Sequence, residues 1–173
     1  MDDNPVPIRT TTEVDEENYI ETTTNFYEDG SYHVKKHYTD GPDDENNWSE
    51  EWYDNLNQLH RDSELGPAFT NSSYGGNTNV FITEVYYTHG EVKRTNDGPT
   101  KIMTNTWATG YTIKEIWMKG GVKHNIDGPA VVITLNCNSK SDMERENKSI
   151  WYNEGIQGLT VYHYEDLITK GAK

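Results

Sequence analysis

Apolar and polar residues alternate with a period of two along much of the chain. From Tyr111 the run sets Tyr111, Ile113, Glu115 and Trp117 on one side and Thr112, Lys114, Ile116 and Met118 on the other, which is the pattern of a strand. The same register from Val80 gives Val80, Ile82, Glu84 and Tyr86. Further strands are expected over 100–107 and 130–135, with hairpin turns at Ala108-Thr109-Gly110 and Tyr74-Gly75-Gly76-Asn77. No stretch carries a helical apolar stripe. The best helix start is Ser141-Asp142-Met143-Glu144, a capping-box spelling inside the loop 136–148, good for a turn or two.

The alternation belongs to a longer repeat, spelled most fully over 113–130 (IKEIWMKGGVKHNIDGPA). An alternating segment closes on Trp117, turns at Gly120-Gly121, returns through His124 and reaches Asp127-Gly128-Pro129-Ala130. Repeat two reads Trp52-Tyr53, His60-Arg61, Gly66-Pro67-Ala68; repeat three reads Tyr86-Tyr87, Gly90, Lys93-Arg94, Asp97-Gly98-Pro99-Thr100. Repeat one begins at Phe26-Tyr27, has His33, and closes at Asp40-Gly41-Pro42; repeat five begins at Trp151-Tyr152 and has no Gly-Pro. The later Gly-Pro pairs start at 66, 98 and 128, and the aromatics fall at 52, 86, 117 and 151. A period near thirty residues, held by two independent markers, is a repeat architecture. A Glu two residues before the aromatic recurs (Glu50, Glu84, Glu115), so stacked repeats align it in a row.

The Gly-Pro block has a backbone reason. Proline fixes φ, lacks an N–H and drives the preceding residue out of the helical region. A glycine there permits a turn that other residues would strain, and the Asp carboxylate can accept backbone N–H bonds in it. The expected fold class is all-β: tandem antiparallel β-hairpin repeats forming an elongated, twisted, single-layer meander sheet. An extended acidic arm is expected over 1–22 and the repeat domain over 23–173.

Composition fits thin β layers. Hydrophobic residues are 32% of the chain, and Tyr (12) far outnumbers Phe (3), so rings bury their bodies while a polar edge stays wet. The net charge of −14 is uneven: residues 1–50 hold 14 Asp and Glu against Arg9, Lys35 and Lys36, a net of −11. Nucleic acid and anionic membrane are polyanions and are excluded as expected partners, whereas a basic protein surface suits the charge. A single cysteine, Cys137, allows no internal disulfide. No apolar signal core is seen in 1–20 and no stretch approaches the ~18 apolar residues of a membrane span, so the Asn-x-Ser/Thr triplets at Asn47, Asn71 and Asn147 carry no weight. The expected setting is a reducing, cytoplasm-like compartment.

Catalytic and metal chemistry finds little support. His33, His60 and His124 recur at one repeat position near acids, but repeat three has Lys93 there and nothing completes a ligand set. Each His is expected to fasten its own turn. Asp43-Asp44-Glu45 lacks the glycine and spaced ligands of a calcium loop. Cys137 has no basic neighbour to activate it. No cofactor is expected, and the Trp and Tyr rows are expected to be core.

The spelling Trp-Tyr-x-Asn-Gly-x-x-His-Arg-x-Asp-Gly-Pro-Ala resembles the MORN-like repeats found in large DNA viruses of amoebae and in some bacterial proteins. It is carried over roughly 23–160 by Trp52, Tyr53, His60, Gly66 and Pro67; by Tyr86, Gly98 and Pro99; by Trp117, His124, Asp127, Gly128 and Pro129; and by Trp151. The resemblance implies a grooved array of hairpins acting as a non-catalytic interaction scaffold. The function expected from it is a virion-associated structural protein of minor capsid or cement type, docking on neighbouring chains in the particle or host cytoplasm. The alternative is a bacterial immunity or antitoxin-like protein whose acidic surface covers a basic partner.

Overall fold

The structure is a computed structural model and describes residues 5–39, 46–75, 78–95, 97–125, 127–139, 143, 147–153 and 155–162. Asp40-Gly41-Pro42, the acidic run 43–45, Gly76-Asn77, the helix candidates Ser141, Asp142 and Glu144, and residues 1–4 of the expected arm lie outside the described residues.

Among the described residues fifteen strands follow in chain order: β1 (Arg9–Asp15), β2 (Ile20–Phe26), β3 (Tyr32–Tyr38), β4 (Trp48–Tyr53), β5 (Phe69–Tyr74), β6 (Val80–Val85), β7 (Tyr87–Thr88), β8 (Glu91–Val92), β9 (Lys101–Trp107), β10 (Gly110–Ile116), β11 (Met118–Lys119), β12 (Val122–Lys123), β13 (Val131–Cys137), β14 (Lys148–Asn153) and β15 (Ile156–Tyr162). Eleven of them form one antiparallel meander, ordered β1-β2-β3-β4-β5-β6-β9-β10-β13-β14-β15. The remaining four make two small hairpins, β7–β8 and β11–β12. The expected hairpin meander is the observed fold.

The expected boundary after residue 22 leaves no mark on the backbone. β2 runs straight through it, and β1 pairs with β2 from Arg9↔Phe26 to Asp15↔Ile20. Residues 9–26 therefore form a hairpin of the sheet. Its turn has no glycine: Tyr19 takes the left-handed conformation (φ 53°). The Asp15 carboxylate accepts the backbone N–H of Glu17 and of Asn18, each at 3.1 Å. Threonines and acids on both faces of β1 hide this strand from an alternation test.

Core packing is shared between two faces. Register places Val85, Lys101, Ile116 and Val131 in one row on one face, and Val85, Ile116 and Val131 are buried. Leu135 lies farther along that face, where its N–H donates to Asn147 Oδ1 at 2.5 Å. Extending the same registers by one residue brings Trp52, Ala68, Tyr86, Thr100, Trp117, Ala130 and Trp151 into one row across the other face. Large rings and small residues alternate along it. Ala68 and Ala130 are fully buried and Thr100 nearly so. The residue after each Gly-Pro is small because it sits between the aromatics of consecutive repeats.

Candidate functional site

Three long connections, 54–68, 86–100 and 117–130, leave the sheet at the same end. Each begins with a bond back to the row aromatic: the His60 N–H donates to the Trp52 carbonyl (2.9 Å), Lys93 to Tyr86 (3.0 Å) and His124 to Trp117 (3.1 Å). In repeat four the chain reverses at Gly120-Gly121, both left-handed (φ 56° and 79°), the geometry a two-residue hairpin turn demands. Repeat three makes the corresponding turn with His89 and Gly90 (φ 47° and 78°).

One side chain then holds each connection down. The Arg61 guanidinium lies 4.2 Å over the Trp52 ring and its Nη1 donates to the Pro67 carbonyl (3.4 Å). Arg94 repeats this over Tyr86 (4.1 Å), donating to Pro99 (3.2 Å). In repeat four Asn125 Nδ2 donates to Pro129 (3.0 Å). Glu50 and Glu84 share a register row with Glu115, as the spacing required. Burial pushes the Glu84 carboxyl up while Arg94 draws it down. Burial likewise lowers the Arg61 guanidinium's proton affinity.

The brace explains two of the glycines. A Cβ on Gly98 (φ 147°) would lie 2.5 Å from Arg94 Nη1, and one on Gly66 (φ 126°) 3.0 Å from Arg61 Nη1. Gly128 is not among the left-handed glycines, so its turn does not need glycine's freedom in the way those two do. The side chains that reach the proline carbonyls are Arg61, Arg94 and Asn125, each one residue past the position of His60, Lys93 and His124. His33 is not equivalent to His60 and His124 at all. It lies within β3, opposite Trp52, with rings stacked at 4.2 Å and Nε2 3.8 Å from Glu50. The constant presence of Arg or Asn before a Gly-Pro was the available signal; its spacing of five, four and three residues in repeats two, three and four blurs it. Asp127 is exposed, and its own N–H donates to Asn125 Oδ1 (3.2 Å). Tyr53 points to the opposite face, stacks on Tyr32 at 4.7 Å and donates its hydroxyl to Glu51 (2.8 Å).

Neighbouring connections also touch one another. Between repeats two and three, the Gly90 N–H donates to the Leu59 carbonyl (2.9 Å), and the His60 and His89 rings stack at 4.1 Å. The His89 N–H donates to His60 Nδ1 (3.3 Å), and His89 Nδ1 bonds Asp54 Oδ2 at 2.8 Å. That bond to His89 is the chief reason the buried Asp54 carboxyl sits below its usual range. Between repeats four and five the Gly155 N–H donates to Lys123 (3.1 Å), and Lys123 Nζ lies 4.7 Å from the Tyr152 ring centroid.

Between repeats three and four the matching donor and acceptor are Gly121 and Val92, and among the described residues no backbone bond joins them. A groove of about 830 Å³ opens there, lined by Glu91, Lys93, Met118, Lys119, Gly120 and His124 among others. The cause is legible residue by residue: where repeats two and three put His60 and His89, repeats three and four have Lys93 and Gly120. A Cβ at Gly120 or Gly121 would meet nothing within 4 Å.

Among the described residues no group of three His, Cys, Asp or Glu could hold a metal ion. Cys137 is half-buried, its thiol 3.5 Å from the Ser139 carbonyl. Comparison of the chain with protein-family models, with curated proteins and with solved structures finds no match in any of the three.

Proposed function

We propose that the chain is a MORN-like, non-catalytic interaction scaffold, of the kind that serves as a minor capsid or cement component and docks on neighbouring chains. One observation carries this reading: the repeat positions are spent on packing, while among the described residues each outer strand of the sheet pairs on one side only. Trp52, Tyr86, Trp117, Gly66, Gly98 and the three prolines hold the connections down. The most exposed apolar residues, Leu56 apart, stand at the margins, with Val6, Ile8, Val14 and Tyr19 around β1 and Ile156 and Leu159 on β15. An open strand edge with apolar neighbours is a surface that other chains complete.

Hydrogen exchange on residues 5–26 tests it, comparing the isolated chain with the native assembly. Amides of β1 gain protection in the assembly under this reading; equal exchange in both states overturns it. The clustering of acid in residues 1–50 supports a second reading, an immunity or antitoxin-like protein that covers a basic partner. Such a pair associates at a rate that falls steeply with salt, and a salt-insensitive rate excludes it.

A further inference from the structure

The two edges of the sheet are built differently. β1 follows Pro5 and Pro7, carries Arg9, Glu13 and Asp15, and leads into Glu16-Glu17. Residues 1–22 hold seven Asp and Glu against one Arg. Proline and like charge are the devices that keep an edge strand from pairing with a second copy of itself. β15 (IQGLTVY) has neither charge nor proline. Among the described residues it pairs on one side only, with β14. Its Ile156 and Leu159 are 76% and 62% exposed. A neutral, β-prone strand with a free backbone edge is a template for a further strand.

Direction decides which strand fits. Every neighbouring pair in the meander is antiparallel and the strands number eleven, so β1 and β15 run the same way. A copy added head to tail would set β1 against β15 in parallel, the weaker pairing, and would bring the guarded edge to the unguarded one. A copy turned about a two-fold axis normal to the sheet sets β15 against β15 in antiparallel order and keeps each face on its own side.

We infer that β15 is a self-pairing edge whose partner is a second copy of this chain, joined near Leu159 into one continuous sheet. Charge fits this occupant: in a chain of net charge −14, two copies approach with least repulsion along an edge that carries none. Leu159 meets its own counterpart across the axis. Growth stops at two because the remaining edges are both β1. This holds whether or not the scaffold reading does, since it rests on the two edges alone.

Sedimentation of the full chain across a dilution series gives the mass of two chains. Leu159→Lys shifts it to one chain with an unchanged far-UV spectrum, while Thr12→Lys on β1 leaves the pair intact. Cross-linking adds an independent readout: in a Cys137→Ser background, Leu159→Cys oxidises to a covalent dimer and Thr12→Cys does not. A single-chain mass at every concentration, a dimer that survives Leu159→Lys, a Leu159→Cys variant that fails to cross-link, or linkage through Thr12 overturns the inference.

Discussion

Repeats two and three meet through a filled contact; repeats three and four, built on the same plan, meet across a groove. Both contacts place a left-handed turn of one connection beside the returning strand of the one before it. In the first, His89 supplies a ring at φ 47°, bonds the buried Asp54 and stacks on His60. In the second, Gly120 has no side chain to offer and Lys93 replaces the imidazole facing it. The sheet beneath is continuous in both places. Contact between connections is thus a separate layer of structure, set by two side chains per junction, and it can be absent without breaking the meander.

The largest expected effect falls on the filled contact. Asp54 accepts the N–H groups of Leu56 and Gln58, both at 2.9 Å, as well as His89. Asp54→Ala removes three part-buried bonds to a charged carboxylate and should cost about 1–3 kcal/mol in denaturant unfolding. Lys119→Ala, in the lining of the open groove, should stay within about 0.5 kcal/mol. Equal losses would erase the distinction.

Acid comes next. Burial, then the neighbouring His89, lowers the His60 pKa, and burial lowers that of His33 against the opposing pull of Glu50. Groups depressed below the ordinary imidazole value of 6.5 contribute stability that is complete above pH 6.5 and lost as pH falls through their folded values. The Asp54 contribution persists lower still, until its own depressed carboxyl titrates below 3.8. Unfolding measured between pH 7 and 5 should therefore show falling stability, with a shallower slope in His60→Asn. The same slope in both proteins would remove His60 from the account.

A graft tests the comparison in reverse. His89 shows that a His is accommodated at the left-handed turn position, so Lys93→His with Gly120→His should close the groove at a net change within about 1 kcal/mol. The readout is slower exchange of the Gly121 amide; unchanged exchange would mean that rings do not close the junction. The smallest effect needs no substitution. In the unaltered chain the Gly90 and Gly155 amides, both bonded across junctions, should exchange more slowly than Gly121.

Much of this architecture was readable beforehand, for physical reasons. A ring every thirty residues and a Gly-Pro in phase with it are demanded by the row itself, where Trp52, Tyr86, Trp117 and Trp151 must fall on the same rung. The Gly120-Gly121 turn was equally plain, because a two-residue reversal there needs left-handed backbone. The hairpin of β1 and β2 was hidden by threonine and acid on both faces and by a turn resting on Tyr19 and Asp15. The brace was hidden in another way. Arg61 and Arg94 stood in the motif, but nothing in spacing says that a guanidinium reaches a proline carbonyl while a neighbouring imidazole looks outward to the next repeat. The vacancy between repeats three and four depends on which side chains meet across a junction, which no single repeat contains.

The alternating row of large and small residues also fixes how such a chain can change length over generations. An inserted strand alone would bring ring against ring or alanine against alanine, so only a whole repeat, one large rung and one small, slips in without a clash. Gene duplication is thereby restricted to steps of two strands. Each step preserves the odd number of strands found among the described residues, and with it the common direction of β1 and β15, so longer or shorter arrays would inherit the same pair of unlike ends.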